Sequence, residues 1–373
     1  MRTRIKLFLR IVFSIFLLNA GNNAVFSCSA FLMKGENYCL VGFNENWKSM
    51  PGIVVINKRD VIKKNLSWNY LVSKNKPNEQ ELEWTSKYGS ISFNLLGIDL
   101  PCYGLNEKGL FIVELYLDRT FSAKDSLKPK MFWAQWIQYQ LDNYATVNEV
   151  IEGLKNTPVI DWWPTFPGSH FFVSDKEGNT AAIELIDGKF SVSSGKTMPI
   201  PVLCNGKYQD ELKQAYRFKP FGGNEILSLN AQSWDNRFSK AAYYIRNYSS
   251  ANTNTPVAYA FNVLDSIKPG QWQLVADVKN NIVYFRSDQG KPIKSLNLSS
   301  CDFSKNAIVK FIDINSNKQG DVFPFLTKLT VEVNDDYIAK GFPIGYENPE
   351  FYNSEKYIYL KRNLHNYVFE KIK

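Results

Sequence analysis

Residues 27 and 28 divide this chain into two pieces of different physical character. Arg2, Arg4, Lys6 and Arg10 make the start positive, residues 11–18 are a short apolar run, and residues 19–27 are polar and end in small side chains. That order is the layout of a secretory signal peptide, with Val25 and Ser27 suited to the −3 and −1 pockets of the peptidase. The apolar run falls far short of the ~20 residues that a bilayer-spanning helix needs, so no transmembrane anchor is expected. Cleavage after Ser27 leaves residues 28–373, a secreted or periplasmic chain that begins with cysteine. An N-terminal cysteine carries a thiol and a free α-amine on one residue, so it can be nucleophile and base at once. Two other readings stay open. Cleavage a few residues away makes Cys28 an ordinary thiol. Lipidated cysteines also follow such leaders, although Phe26 is bulky where a lipobox holds a small residue.

Half of the formal charge of +8 belongs to the leader, which has four basic and no acidic side chains. The lysines of the remainder are scattered rather than clustered, which argues against nucleic acid as a partner. Five cysteines are spread over Cys28, Cys39, Cys102, Cys204 and Cys301, with no CxxC or Cys/His cluster, so neither a zinc site nor any other cofactor is expected. In an oxidising compartment four of them can pair and leave one thiol. Only two histidines exist, and His170 opens an apolar, strand-like run where a structural role fits better than catalysis. No GxSxG elbow accompanies either. The scarcity points to chemistry that does without histidine.

The pattern predicts a hairpin at 28–34 and 38–43, extended segments at 53–58 and 90–96, and a second hairpin at 103–105 and 110–117. The period then changes: Phe132, Trp133, Trp136, Ile137, Leu141 and Tyr144 share one helical face. Thr146 with Glu149 reads as a capping box opening another helix. Strands follow at 170–174, 180–185 and 189–193. A helix carrying Phe238, Ala241, Ala242 and Ile245 comes next, and another starts at Thr255-Pro256, where proline suits the first helical position. Meanders at 272–276, 282–286 and 293–298 lead to a tail read as strand-rich. Hairpin turns between most strands favour antiparallel sheets with helices layered on them, an α+β sandwich rather than a βαβ winding. No linker divides residues 28–373, which are expected to form a single domain; self-association is left open.

The opening CSAFLMKGENYCLVGFNENW, the hairpin YGLNEKGLFIVELYL, the meander HFFVSDKEGNTAAIEL, the segment PVLCN and the helix NRFSKAAY follow one another in an order that resembles the choloylglycine hydrolase family, which includes penicillin V acylases and bile salt hydrolases. The likeness is strongest to its broad branch of linear amide C–N hydrolases. It implies an N-terminal-nucleophile hydrolase: a four-layer αββα sandwich of antiparallel sheets. Cys28 is then the nucleophile and its α-amine the base. Asn205 donates its side-chain amide to the oxyanion, the backbone N–H of Tyr116 completes that hole, and Arg237 holds the site in place. Taken singly, Asn205 reads as a turn residue before Gly206, Tyr116 as a strand aromatic and Arg237 as a surface cation. A free α-amine (pKa roughly 8) and a thiol (about 8.5) are matched for proton transfer without a histidine.

The chain departs from the family at a GRNxDW-like motif, here Gly42-Phe43-Asn44-Glu45-Asn46-Trp47. Phe43 stands where relatives have a basic residue beside the thiol. Asn46 stands where they have the aspartate that holds the α-amine. Glu45 and Glu114 are acids that can substitute, though the sequence does not place them. The expected substrate is a small-molecule N-acyl amide with an apolar acyl part and a polar amine part. Penicillin V, conjugated bile salts and N-acyl signalling amides fit, and Tyr116 tilts away from bile salts. The alternative drawn from Phe43 and Asn46 is a weakened or inactive binding protein on the same fold.

Overall fold

The first hairpin forms where the alternating pattern predicts it. In a computed structural model of the chain, which describes residues 28–118, 128–164, 166, 168–230, 235–249 and 255–372, β1 (Ser29–Lys34) pairs antiparallel with β2 (Cys39–Glu45). The leader expected over residues 1–27 lies outside the described residues. Phe31 sits across from Gly42, and a Cβ there would lie 2.2 Å from the Phe31 ring, so this strand position has to be glycine.

The chain then builds a meander of β3 (Ile53–Asn57), β4 (Ser90–Asn94), β5 (Pro101–Asn106) and β6 (Phe111–Tyr116). β7 (Ser169–Ser174), β8 (Thr180–Ile186) and β9 (Lys189–Ser194) extend it. β10 (Val202–Leu203) returns to the first hairpin, which β11 (Trp272–Asp277), β12 (Ile282–Ser287) and β13 (Lys294–Asn297) continue. Three short strands close the edges: β14 (Lys310–Asp313), β15 (Gly320–Asp321) and β16 (Thr327–Lys328). One sheet runs β10-β1-β2-β11-β12-β13-β15 and the other β9-β8-β7-β6-β5-β4-β3-β14-β16. Pairing is antiparallel throughout both, apart from β13 with β15.

The two sheets stack through aromatic rings. Phe43 meets Tyr103 edge-on at 5.0 Å, Tyr103 stacks on Phe93 at 4.8 Å, and Phe93 meets Phe285 at 5.3 Å. Each such ring, fully buried, contributes roughly 1.5–3 kcal/mol of hydrophobic stabilisation. Helices cover the outer faces. α1 (Trp133–Asn143) lays Leu141 over Gly104 of β5, and α2 (Val147–Gly153) follows with Thr146 Oγ1 accepting from the Glu149 N–H at 3.2 Å. After α3 (Tyr208–Ala215), which the sequence pattern did not reveal, α4 (Arg237–Arg246) and α5 (Pro256–Ile267) cover the other sheet. Asn44 Nδ2 ties β2 to α5 by donating to the Leu264 and Lys268 carbonyls, both at 2.8 Å. The result is the αββα layering, an α+β fold.

The tail overturns the strand-rich expectation. Beyond β16 it is helical: α6 (Val331–Gly345), α7 (Pro349–Tyr352) and α8 (Glu355–Ile372). β-branched and aromatic residues crowd this stretch and favour strands on composition. Yet Leu360, Leu364, Tyr367 and Val368 are buried at helical spacing, and Thr330 Oγ1 caps α6 by accepting from the Val333 N–H at 3.3 Å. Burial of one helical face outweighed local propensity.

Candidate active site

Cys28 lies directly before β1 and is 3% exposed. The β1–β2 register, Ser29 opposite Asn44, sets Cys28 opposite Glu45. Directly opposed residues of an antiparallel pair share a face, so Glu45 stands beside the Cys28 thiol while Asn44 and Asn46 turn to the other side. The Asn46 amide nitrogen accordingly donates to the Pro269 carbonyl, at 3.2 Å. Its backbone N–H hydrogen-bonds the Cys28 sulfur and favours the thiolate. Phe43, two residues back on the same face as Cys28, is spent in the aromatic stack between the sheets.

Arg237, the first residue of α4, is buried and reaches across to the strand end. Its Nη1 donates to the Cys28 carbonyl at 2.6 Å and to Ser29 Oγ at 2.9 Å, and its Nη2 donates to Asn205 Oδ1 at 2.8 Å. Asn205 Nδ2 in turn donates to the Tyr116 carbonyl at 2.7 Å. One chain of hydrogen bonds therefore joins Cys28, Arg237, Asn205 and Tyr116, four residues brought together from β1, α4, the loop after β10 and the end of β6. A primary amide has two N–H donors, so one of those on Asn205 remains for a further acceptor. Glu211 of α3 steadies the loop by accepting from the Cys204 and Gly206 N–H groups, both at 3.2 Å. Burial pushes the Glu211 carboxyl up to about 7 against the pull of Arg237.

A cavity of about 40 Å³ opens beside the thiol, walled by Glu45, Glu114, Tyr116, Trp133, Trp163 and Phe166 among others. Burial, and then the Glu45 carboxylate, push the Cys28 thiol well above its ordinary range, with Glu114 adding to the rise and Arg237 opposing it. Glu45 itself is driven well upward by burial and by Glu114. Glu114 is raised by burial to about 7, moderated by the hydroxyl that Ser169 donates to its Oε1. The cavity beside the thiol thus holds two carboxyl groups, from β2 and β6.

Neither histidine lines the cavity. His170 is fully buried, with Nδ1 3.2 Å from Glu184 Oε1 and Nε2 2.7 Å from the Cys204 carbonyl, and His365 pairs with Asp335 at the surface. None of the five cysteines is in a disulfide. Cys102 shares the cavity with Cys28, and the sequence pattern singled out neither it nor Glu211, Trp133, Trp163 or Phe166 for the site. Only the Cys28–Glu45 pairing had a local signal, the register of the first hairpin. Among the described residues no group of acids, histidines and cysteines is placed to hold a metal ion, and no helix is long and apolar enough to cross a membrane.

A buried cysteine directly before the first strand of an αββα sandwich is thus joined through an arginine to an asparagine. The family model for linear amide C–N hydrolases, choloylglycine hydrolase family, matches residues 28–311, and the chain belongs to that family. It is 26% identical to the penicillin V acylase of Pectobacterium atrosepticum over 266 residues, 61% of this chain and 70% of the relative. It is 30% identical to a bile salt hydrolase/transferase of Clostridium perfringens over 131 residues, 32% of this chain and 38% of the relative. In fold it matches the penicillin V acylase of Agrobacterium tumefaciens with a TM-score of 0.68 at 24% identity, covering 81% of this chain and 98% of that one.

Proposed function

We propose that the chain is made with a leader, residues 1–27, whose removal outside the cytoplasm frees Cys28 as an N-terminal nucleophile, and that residues 28–373 act as one domain hydrolysing an N-acyl amide in the manner of a penicillin V acylase. The single observation that carries this is the hydrogen-bond chain Cys28–Arg237–Asn205–Tyr116, whose two ends, Cys28 and Tyr116, line the cavity. A family match that begins at Cys28 supports it.

In this mechanism the α-amine takes the thiol proton and the sulfur attacks the amide carbonyl. Negative charge develops on the carbonyl oxygen, where the spare N–H of Asn205 is the donor at hand. Collapse of the intermediate breaks the C–N bond, and the leaving amine takes the proton back from the α-ammonium. Water then attacks the acyl-thioester by the same proton route, releasing the acid and restoring the thiol. Arg237 fixes the Cys28 carbonyl and so the direction of the nucleophile. The reading of a binding protein without chemistry, drawn from Phe43 and Asn46, is not favoured by membership of a hydrolase family.

The test is a comparison of two forms of the protein. The form that starts at Cys28 should cleave a panel of acyl amides and accumulate an acyl adduct on Cys28 in intact mass. A form that keeps one residue before Cys28 should be inactive, because its base is locked in a peptide bond. Equal hydrolysis by both would remove the N-terminal-nucleophile mechanism.

A further inference from the structure

We propose that the cavity beside Cys28 is a receptor for a positively charged amine, so that the amide cleaved there carries an ammonium group within a few bonds of its scissile carbonyl. This rests on the hydrolase reading above and adds the class of substrate.

Two carboxyl groups face this cavity, Glu45 from β2 and Glu114 from β6, and no lysine, arginine or histidine is among the described residues that line it. Glu45 is only 6% exposed, and its Oε2 is fully buried with no hydrogen-bond partner. A buried carboxyl oxygen left unpaired is costly, and the cost is removed when a ligand brings a donor. An ammonium brings three donors and a matching charge. The α-amine of a processed Cys28 supplies at most one positive charge, and none in the neutral form that accepts the thiol proton, so it does not balance both carboxyl groups.

The remaining walls suit the same ligand. Trp133 stacks on Phe166 at 5.4 Å, Trp163 meets Phe166 edge-on at 5.2 Å, and Trp133 and Trp163 cross edge-on at 6.2 Å. Aromatic faces attract a desolvated cation and hold its alkyl groups. The space, about 40 Å³, admits an ammonium head. A carboxylate or sulfonate placed here would meet two acids and no cation.

Calorimetric titration of the protein that begins at Cys28 with butylammonium, butanol and butyrate tests this without requiring turnover. Butylammonium should bind at least tenfold more tightly than butanol, with butyrate weakest. Glu45→Gln and Glu114→Gln should each weaken butylammonium about tenfold while leaving butanol and the melting temperature unchanged. Butanol or butyrate binding as well as butylammonium, or a folded Glu45→Gln with unchanged ammonium affinity, overturns the proposal. Hydrolysis of matched amides separates it from the reading beneath. Cationic amides turned over at least tenfold faster than neutral and anionic ones support the receptor, and equal rates refute it while the hydrolase stands. Retained ammonium binding with no amide cleaved supports the receptor and removes the hydrolase.

Discussion

The strands around Cys28 and the helices beyond residue 330 are anchored in opposite ways. The strands interlock through backbone ladders and an apolar aromatic stack, and the polar groups they bury at the site are wired to one another. The tail attaches largely by side chains. Tyr346 packs on Trp68 and on Trp163, each at 5.5 Å, and Phe351 packs on Trp68 at 5.5 Å. Deeper in, the Tyr367 hydroxyl of α8 donates to Asp99 Oδ2 at 2.9 Å, and Asp99 pairs with Lys63 at 2.7 Å, which also pairs with Asp142 at 3.0 Å. Burial on its own would push the Lys63 ammonium down; Asp142 and Asp99 together hold it above its ordinary range. The family match stops at residue 311, before these helices, yet Gly345 lines the Cys28 cavity. In this molecule the first sheet presents Cys28 to the cavity and the tail supplies part of the wall around it. Gly341 marks how close the tail comes: a Cβ there would sit 2.1 Å from the Leu95 carbonyl oxygen.

If that division holds, changes in the two regions should separate chemistry from stability. The largest effect belongs to Cys28→Ser, which should lose nearly all hydrolysis and keep its melting temperature, since an amine of pKa roughly 8 deprotonates an alcohol poorly. Asn205→Ala comes next, with turnover lowered by roughly 10²–10³ while the thiol still reacts with iodoacetamide. Wild-type turnover in that variant would remove Asn205 from the oxyanion site.

On the tail side, Lys63→Met should destabilise the fold by about 3–5 kcal/mol in denaturant melts, because it leaves Asp99 and Asp142 buried without their cation. At denaturant concentrations where the variant is still folded, its rate of Cys28 alkylation should match wild type. A slowed rate would mean that the two regions are coupled. The smallest effect is a shift in pH. With the thiol held high by burial and by the Glu45 carboxylate, alkylation of Cys28 should be slow at neutral pH and rise in the alkaline range. Removing a negative neighbour favours the thiolate, so Glu45→Gln should move that rise to lower pH. Coincident profiles would show that the carboxylate does not act on the sulfur.

Much of the site is legible in the amino-acid sequence because it sits on local signals. The first hairpin, the Thr146 cap, the Thr255-Pro256 helix start and the segment order around Asn205 and Arg237 fall where the residue pattern puts them. The tail is not legible in that way, since its composition argues for strands and its helical face becomes decisive only when something packs against it. Where the Asn46 side chain goes is likewise a matter of tertiary packing. The motif matches it to the acid at the amine; its side chain, just beyond β2, bonds the Pro269 carbonyl, and Glu45 stands opposite Cys28.

Sequence by itself determined what depends on neighbours in the chain: turn residues, alternation, caps, and a cysteine at the start of the first strand. Tertiary structure alone decided which distant groups meet that cysteine. Glu114, Trp163, Asn205, Arg237 and Gly345 reach it from separate elements, across separations that no local period encodes. Their meeting depends on how the sheets stack and how the tail folds back. Those are settled by burial of apolar surface, which is non-directional and roughly proportional to area, and so cannot be read from any short stretch of chain.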